Sequence, residues 1–325
     1  MTRYIVRRLL WSIPVLIISS ILVFAVMRIA IDPTAALRIN PRIRPKDIQS
    51  IKDAMGLNKS GVSQYLAWFG NFIHGNWGVS AISQRSVWEQ VRTALVNSAI
   101  LGIVATFFSV LIGLGIGLYS SLRQYSKFDS IATTAAFVGL SMPQFWFAIL
   151  LQLFFGVYLV KWLGAHGPIL GIAGMYSPGS VGFHLVDRIR HIALPALVLS
   201  MEIVAVYSRY MRASMLEVLH SDYLRTARAK GLTERRVVFR HAVRNAMIPI
   251  TTVLALNIGT IAAGLIITEQ VFQWPGMGPL FINAVGNGDY PVALAWVMVT
   301  VFSVIIFNLI ADVFYAILDP RIRYA

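Results

Sequence analysis

Residues 222–249, DYLRTARAKGLTERRVVFRHAVRNAMIP, form the one long basic and polar stretch in the second half of the chain. The stretch holds seven Arg or Lys side chains against two acids, and an apolar run borders it on each side. A basic segment between two apolar runs is typical of a cytoplasmic loop between membrane spans. We therefore predict that this loop joins two spans and organises the chain around it.

The loop also predicts its own secondary structure. Asp222 is placed to cap a short helix over 223–230 by accepting hydrogen bonds from free backbone N–H groups. Gly231 stands where a helix ends in the left-handed conformation, which glycine adopts without a Cβ clash. Thr233 is placed to cap a second helix, with Glu234 in its first turn, where the helix dipole favours an anion. The pattern indicates a rigid projection: a helix, a glycine elbow and a second helix.

The composition of the chain is that of a membrane protein. Of its 325 residues, 57% are hydrophobic and 13% are charged, whereas about a quarter of the residues of soluble domains are charged. The mean hydropathy is +0.68. The net charge of +14 is explained by cytoplasmic loops, which concentrate Lys and Arg, and we expect no nucleic-acid partner. The absence of cysteine excludes disulfides, thiolate metal sites and cysteine nucleophiles.

Six apolar stretches approach or exceed the roughly 20 residues that cross a bilayer. They cover 9–31, 96–121, 130–160, 191–211, 246–268 and 290–318. Lys and Arg cluster at the N-terminus, after the second stretch, over 209–244 and in the tail, so both termini are predicted to be cytoplasmic. The predicted parts are the N-terminus and first span (1–31), a helical extracytoplasmic region (32–95), a five-helix transmembrane domain (96–318) with a cytoplasmic loop over 213–245, and a cytoplasmic tail (319–325).

Polar and helix-breaking residues inside the predicted spans are candidates for a translocation path. Met142 and Pro143 interrupt the third span, since proline kinks a helix and frees a backbone carbonyl; a packing kink is an equal alternative. Glu202, Asn257 and Glu269 are polar residues in or at the end of other spans. An intramembrane acid is costly unless it is paired or hydrated, so a structural hydrogen bond is the alternative to a functional role for Glu202. Gly113 and Gly117 form a small-residue pair that permits close helix approach.

The chain has no sequence motif for hydrolysing nucleotide. No Gly-Lys pair of a phosphate-binding loop occurs, and neither an H-E-x-x-H nor a G-x-S-x-G motif is present. We therefore predict that the chain is not an enzyme, carries no cofactor and metal, and leaves ATP to partner subunits. The basic loop then has two remaining candidate tasks, contact with anionic membrane lipid and docking on a cytoplasmic partner. Docking needs a helix–glycine–helix geometry, whereas lipid contact does not.

The loop resembles a known family. YLRTARAKGL (223–232) followed by RHAVRNAMIP (240–249) is similar to the cytoplasmic coupling loop, or EAA loop, of ABC importer permeases, and more narrowly to their dipeptide/oligopeptide branch. The general pattern begins Glu-Ala-Ala six residues before the glycine; here Arg225, Thr226 and Ala227 stand in those places, and only the second alanine matches. EQVFQWPGMG (269–278) and LDPRIR (318–323) resemble the same branch.

This resemblance implies an all-α membrane protein with the type I ABC importer permease fold, six transmembrane helices and a small helical extracytoplasmic region after the first. It implies a complex with a second homologous permease, two cytoplasmic ATPases and an extracytoplasmic substrate-binding protein, with coupling through 222–240. Peptides are the implied cargo, although relatives in the family carry nickel, glutathione or haem. The competing class is an ion-coupled secondary transporter acting through Glu202, Glu269 and Asp312. The implied coupling residues are Asp222, Tyr223, Arg225, Thr226, Ala227, Lys230, Gly231, Arg236 and His241.

Overall fold

A computed structural model describes residues 2–30, 58–180, 182–261 and 265–318. Within these ranges the secondary structure is helical, apart from an isolated bridge between Val79 and Ser86, which agrees with the predicted all-α class. The helices are α1 (Thr2–Ala30), α2 (Gly61–Ile73), α3 (Val87–Leu122), α4 (Lys127–Ser141), α5 (Gln144–Leu153), α6 (Leu159–Leu163), α7 (Leu185–Leu219), α8 (Asp222–Ala229), α9 (Glu234–Arg236), α10 (Val243–Ile261), α11 (Ile266–Val271), α12 (Met277–Gly286) and α13 (Tyr290–Leu318). Two π-helical turns, Phe154–Tyr158 and Val237–Ala242, join α5 to α6 and α9 to α10.

Five helical segments in the described part of the chain are long and apolar enough to cross a membrane. They are Leu9–Ala30, Val87–Leu122, Gln144–Leu163, Leu185–Leu219 and Tyr290–Ile310. The remaining predicted span, 246–268, coincides with α10 and the start of α11 over most of its length. Residues 262–264 of that span lie outside the described residues, so the sixth crossing stays a prediction.

Several of the long helices extend beyond the predicted spans, and α3 and α7 do so most. Helix α3 begins at Val87, before the predicted start at 96, and α7 covers Leu185–Leu219 where a span over 191–211 was expected. Backbone hydrogen bonds inside a helix do not depend on side-chain polarity, so a helix can continue past the apolar segment that hydropathy detects. The extracytoplasmic region predicted over 32–95 therefore includes the first turns of α3.

The interruption predicted at Met142 and Pro143 is confirmed, and it is a complete break. Helix α4 ends at Ser141, both Met142 and Pro143 adopt extended backbone angles, and α5 begins at Gln144. A residue that precedes proline is sterically disfavoured from the helical region, which explains why Met142 leaves the helix.

The chain divides into two compact units, which are described separately. The first contains the described residues of 1–98, 262–266 and 275–309. Its core includes Phe24, Val87, Met277 and Leu294, and the aromatic side chains of α2 pack against it. Helix α2 (Gly61–Ile73) lies in the region over 32–95 that was predicted to be helical, and residues 31–57 lie outside the described residues.

The second unit contains the described residues of 99–261, 267–274 and 310–325. Helix α7 is its centre, and α4, α5 and α10 all pack along it. Helix α3 also meets α7, because a Cβ atom added at Gly113 would lie 2.9 Å from Cβ of Tyr207, and one at Gly117 would lie 2.7 Å from Cβ of Met211. The predicted close helix approach at these two glycines is thus confirmed.

Candidate coupling elbow at residues 221–245

Helix α8 begins one residue earlier than the sequence suggests. Ser221 holds the extended N-cap conformation, with φ −73° and ψ 146°, and Asp222 is the first helical residue. The predicted capping role of Asp222 is therefore wrong. Its carboxylate is 95% exposed and lies 3.5 Å from Nη1 of Arg225. At this first helical position the helix dipole still favours a negative charge.

The glycine elbow is confirmed. Gly231 has φ +80°, its N–H donates to the carbonyl of Arg228 at 2.9 Å, and the N–H of Leu232 reaches the carbonyl of Ala227 at 3.4 Å. These two hydrogen bonds satisfy the last carbonyls of α8 in a Schellman motif. A Cβ atom at Gly231 would meet nothing within 4 Å, so backbone conformation rather than crowding requires glycine here.

The second limb of the elbow begins at Thr233, which has the extended N-cap backbone that the sequence predicts, and Glu234 starts α9. The hydroxyl of Thr233 makes no capping hydrogen bond, so the position was predicted correctly and the side-chain bond was not. Helix α9 then continues through the π-helical turn Val237–Ala242 into α10. The second limb of the elbow is therefore the beginning of a long helix and not an isolated short helix.

An ion pair closes the elbow across Gly231. The guanidinium of Arg228 donates from Nε to Oε2 of Glu234 at 3.1 Å and from Nη2 to Oε1 at 2.9 Å. The hydrogen bonds from Arg228 lower the pKa of the Glu234 carboxyl below its ordinary value. The sequence-based prediction missed this pair, because six residues and a left-handed turn separate the partners, whereas helical pairing rules cover separations of three and four.

The inner face of the elbow is part of the core of the second unit. Leu224 and Ala227 of α8 are buried in one cluster with Met211 and Met215 of α7. The same cluster contains Val237, Val238 and Ala242 from the π-helical turn. Among the predicted coupling residues, Ala227 thus faces inward and supports the elbow rather than a partner surface.

The outer face of the elbow is polar and largely basic. The exposed predicted coupling residues are Asp222, Tyr223, Arg225, Thr226, Lys230, Gly231 and Arg236, while His241 is half-buried. The Tyr223 hydroxyl accepts a hydrogen bond from Nδ2 of Asn245 at 2.8 Å, which ties α8 to the start of α10. The elbow therefore combines an apolar inner face, which anchors it, with a charged face that is open to solvent.

The predicted translocation-path residues lie on separate elements. Met142 and Pro143 line an open apolar cavity of about 560 Å³ at the break between α4 and α5. Glu202 is an exposed residue of α7, whereas Glu269 on α11 is completely buried. The side chains of Asn257 and Asp312 lie outside the described part of the structure.

Comparison with known proteins identifies relatives along the whole chain. Residues 109–324 match the family of the binding-protein-dependent transport system inner membrane component, and residues 1–95 match the N-terminal family of the same membrane components. The chain is 39% identical to the oligopeptide transport system permease protein AppB of Bacillus subtilis over 325 residues, which cover 100% of both chains.

Two further relatives have the same extent. The di/tripeptide transport system permease protein DppB of Pseudomonas aeruginosa is 37% identical over 337 residues, with 100% of this chain and 99% of the relative covered. The dipeptide transport system permease protein DppB of Escherichia coli K12 is 36% identical over 338 residues with the same coverage. The chain therefore belongs to the family of binding-protein-dependent transport inner membrane components: it is a multi-pass inner-membrane permease subunit of an ABC transport system, and not an ATPase.

Proposed function

We propose that this chain forms half of the translocation path of an ATP-driven peptide importer, and that its elbow at 222–240 couples it to cytoplasmic ATPases. The relatives named above are permeases for dipeptides, di/tripeptides and oligopeptides, and the chain matches them end to end. The observation that carries the coupling role is the elbow itself, whose buried face holds it to α7 while its charged face stays open.

The connections of the elbow support a lever. Two residues separate the end of α7 at Leu219 from the start of α8 at Asp222, and the second limb continues directly into α10. A push on the charged face is therefore delivered to two long helices at once. The Schellman hydrogen bonds and the Arg228–Glu234 pair keep the elbow from flexing at Gly231.

The remaining parts of the proposal concern topology and partners. We infer six spans of the type I fold, cytoplasmic termini, and the predicted division into 1–31, 32–95, 96–318 and 319–325. The distribution of Lys and Arg supports this orientation. The partners are a second homologous permease, two ATPases that bind the nucleotide, and an extracytoplasmic substrate-binding protein.

The proposed path passes Met142, Pro143, Glu202, Asn257 and Glu269. In a continuous helix the residue at position 143 would donate its backbone N–H to the carbonyl of Gly139. Proline has no N–H, so Pro143 cannot form this hydrogen bond. The open apolar cavity beside this break suits the apolar side chains of a peptide cargo.

The function is tested with the complex in proteoliposomes. The chain is co-purified with a second permease, the ATPases and the binding protein, and uptake of labelled dipeptide and longer peptide is measured with and without ATP. We expect ATP-dependent peptide uptake. Uptake of nickel, glutathione or haem without uptake of peptide would show that peptide is not the cargo. Uptake driven by an ion gradient without the ATPases would contradict the assignment as an ABC importer.

A further inference from the structure

A buried carboxylate joins three elements of the second unit. Asp129, in the first turn of α4, is 3% exposed. Its Oδ1 accepts from Nε of Arg212 on α7 at 2.7 Å, and its Oδ2 accepts from Nη2 of the same guanidinium at 2.8 Å. The hydroxyl of Ser120 on α3 also donates to Oδ1, and the backbone N–H of Tyr125 donates to Oδ2 at 2.9 Å. We call Ser120, Tyr125, Asp129 and Arg212 the Asp129 node.

The hydrogen bonds of the node favour the charged form of the Asp129 carboxyl. The hydrogen bonds from Arg212, then those from Ser120 and Tyr125, keep the pKa of the Asp129 carboxyl far below its usual range. A buried carboxylate that loses its cationic partner is strongly destabilised, because the charge is left uncompensated. The hydrogen bonds of the node therefore favour a single relative arrangement of α3, α4 and α7.

The node is next to the part of α7 that supports the elbow. Met211 and Met215, on either side of Arg212 in sequence, are buried against Leu224 and Ala227 of α8. Helix α3 touches α7 at the same level, since a Cβ atom at Gly117 would lie 3.1 Å from the backbone nitrogen of Arg212. One stretch of α7 thus carries the elbow on one face and the node on another.

A second contact joins α4 to α7 one turn earlier. The guanidinium of Arg209 lies over the ring of Phe137, 4.6 Å from its centroid, which is a cation–π geometry. A basic residue that served only to set membrane topology would need neither a two-donor ion pair nor an aromatic partner. These contacts argue that the two arginines fix α7 to α4.

We propose that Asp129 and Arg212 are positioning residues for coupling, which tie α7 to α3 and α4 so that displacement of the elbow moves these helices together. This inference rests on the proposed coupling function of the elbow. Without the node, a push on α8 would bend the end of α7 more and would move α3 and α4 less.

The test uses the complete reconstituted complex with Asp129→Asn, Arg212→Met and the conservative Arg212→Lys. Asp289→Asn is the matched control, because Asp289 is also a buried acid and accepts hydrogen bonds from Ser80 and Ala81 in the other unit. The measurements are assembly by co-purification, basal ATP hydrolysis, its stimulation by loaded binding protein, and peptide transported per ATP hydrolysed.

We expect Asp129→Asn, which removes the buried charge, to assemble and to keep basal hydrolysis, while transport per ATP falls at least about threefold. Arg212→Met leaves the Asp129 carboxylate without its cation, so it should assemble less well but show the same fall in transport per ATP. Arg212→Lys keeps the charge but loses the paired donors, so its transport per ATP should lie between that of these two variants and that of the unmodified complex. Asp289→Asn should transport as much peptide per ATP as the unmodified complex. If neither Asp129→Asn nor Arg212→Met assembles, the transport per ATP of the Arg212→Lys complex decides whether the inference holds.

Normal transport per ATP in the assembled node variants would overturn the inference, as would an equal loss in Asp289→Asn. If all three node variants fail to assemble while the control assembles, the node serves assembly and the coupling role is rejected. Failure of the proposed function is separate from these outcomes, because it appears in the unmodified complex as the absence of ATP-driven uptake.

Discussion

The second unit interrupts its helices in two different ways. At Gly231 the chain turns through a left-handed residue, its last helical carbonyls are satisfied, and an ion pair spans the turn. At Met142 and Pro143 the chain breaks in an extended conformation and borders an open apolar cavity. The first interruption is held by hydrogen bonds and an ion pair, whereas the second leaves an apolar space beside the chain.

Under the proposed function the two sites have different tasks, the elbow in coupling and the break in the path. A glycine turn retains its N–H groups and can therefore close its own hydrogen bonds. A proline break removes a donor, and the freed carbonyl must find another partner. Experiments that act on the two sites separately should therefore affect ATP hydrolysis differently, although both should lower uptake.

The largest expected effect is on thiol labelling, since any introduced cysteine is the only one in the chain. Thr233→Cys should react with an impermeant maleimide only after the membrane is opened, and bound ATPases should then shield it. Ser141→Cys, at the break, should not be shielded by the ATPases.

Ser60→Cys, in the predicted extracytoplasmic region, is the control for sidedness and should label on intact cells. Labelling of Thr233→Cys from outside would contradict the proposed topology. Equal labelling of Thr233→Cys with and without ATPases would leave the topology intact but remove the elbow as the docking surface.

Gly231→Val should uncouple the complex. A β-branched side chain strains the left-handed conformation by about 1–2 kcal/mol, so uptake and stimulated ATP hydrolysis should fall together while the subunit still reaches the membrane. Gly231→Asn is the matched variant, because asparagine tolerates this conformation better. Normal uptake by the valine variant would refute the elbow argument.

Pro143→Ala should separate the two activities that Gly231→Val lowers together. Restoring an N–H removes a helix-breaking preference of about 3 kcal/mol and favours a continuous helix through 142–143. We expect reduced peptide uptake with ATP hydrolysis still stimulated by the binding protein.

Pro14→Ala provides the control for this change, since Pro14 lies inside the unbroken helix α1. Should Pro143→Ala transport peptide as the unmodified complex does, the break would be a packing feature and not part of the path.

The smallest effect concerns the ion pair across the elbow. Both partners are partly exposed, so Glu234→Gln should lower the stability of the elbow by at most about 1 kcal/mol. Because Arg228 lowers the pKa of the Glu234 carboxyl, the pair contributes fully above the ordinary pKa of an unpaired glutamate and is lost as the pH falls through the lowered value.

Limited proteolysis at the elbow as a function of pH measures this contribution. Cleavage of the unmodified chain should increase at acidic pH, and Glu234→Gln should show the acidic behaviour at neutral pH as well. Identical profiles for the two chains would mean that the pair adds no rigidity.

Sequence alone predicted the elements whose causes are local. A left-handed Gly231, the helix start at Thr233 and the break at Pro143 follow from backbone preferences of single residues, and they were found where expected. The error at Asp222 also has a local cause, because Ser221 is an equally good N-cap residue and adopts the capping conformation one position earlier.

Tertiary structure decided which polar residues are buried and what they meet. Sequence treated Glu202 and Glu269 as equivalent candidates, yet one is exposed in the chain and the other is fully buried. Asp129 and Arg212 are 83 positions apart, and they meet because α4 packs along α7. Ser120 joins them from α3, which approaches α7 closely at Gly113 and Gly117. Backbone preference acts between neighbours in sequence, whereas ion pairing depends on distances that exist only after the helices have packed.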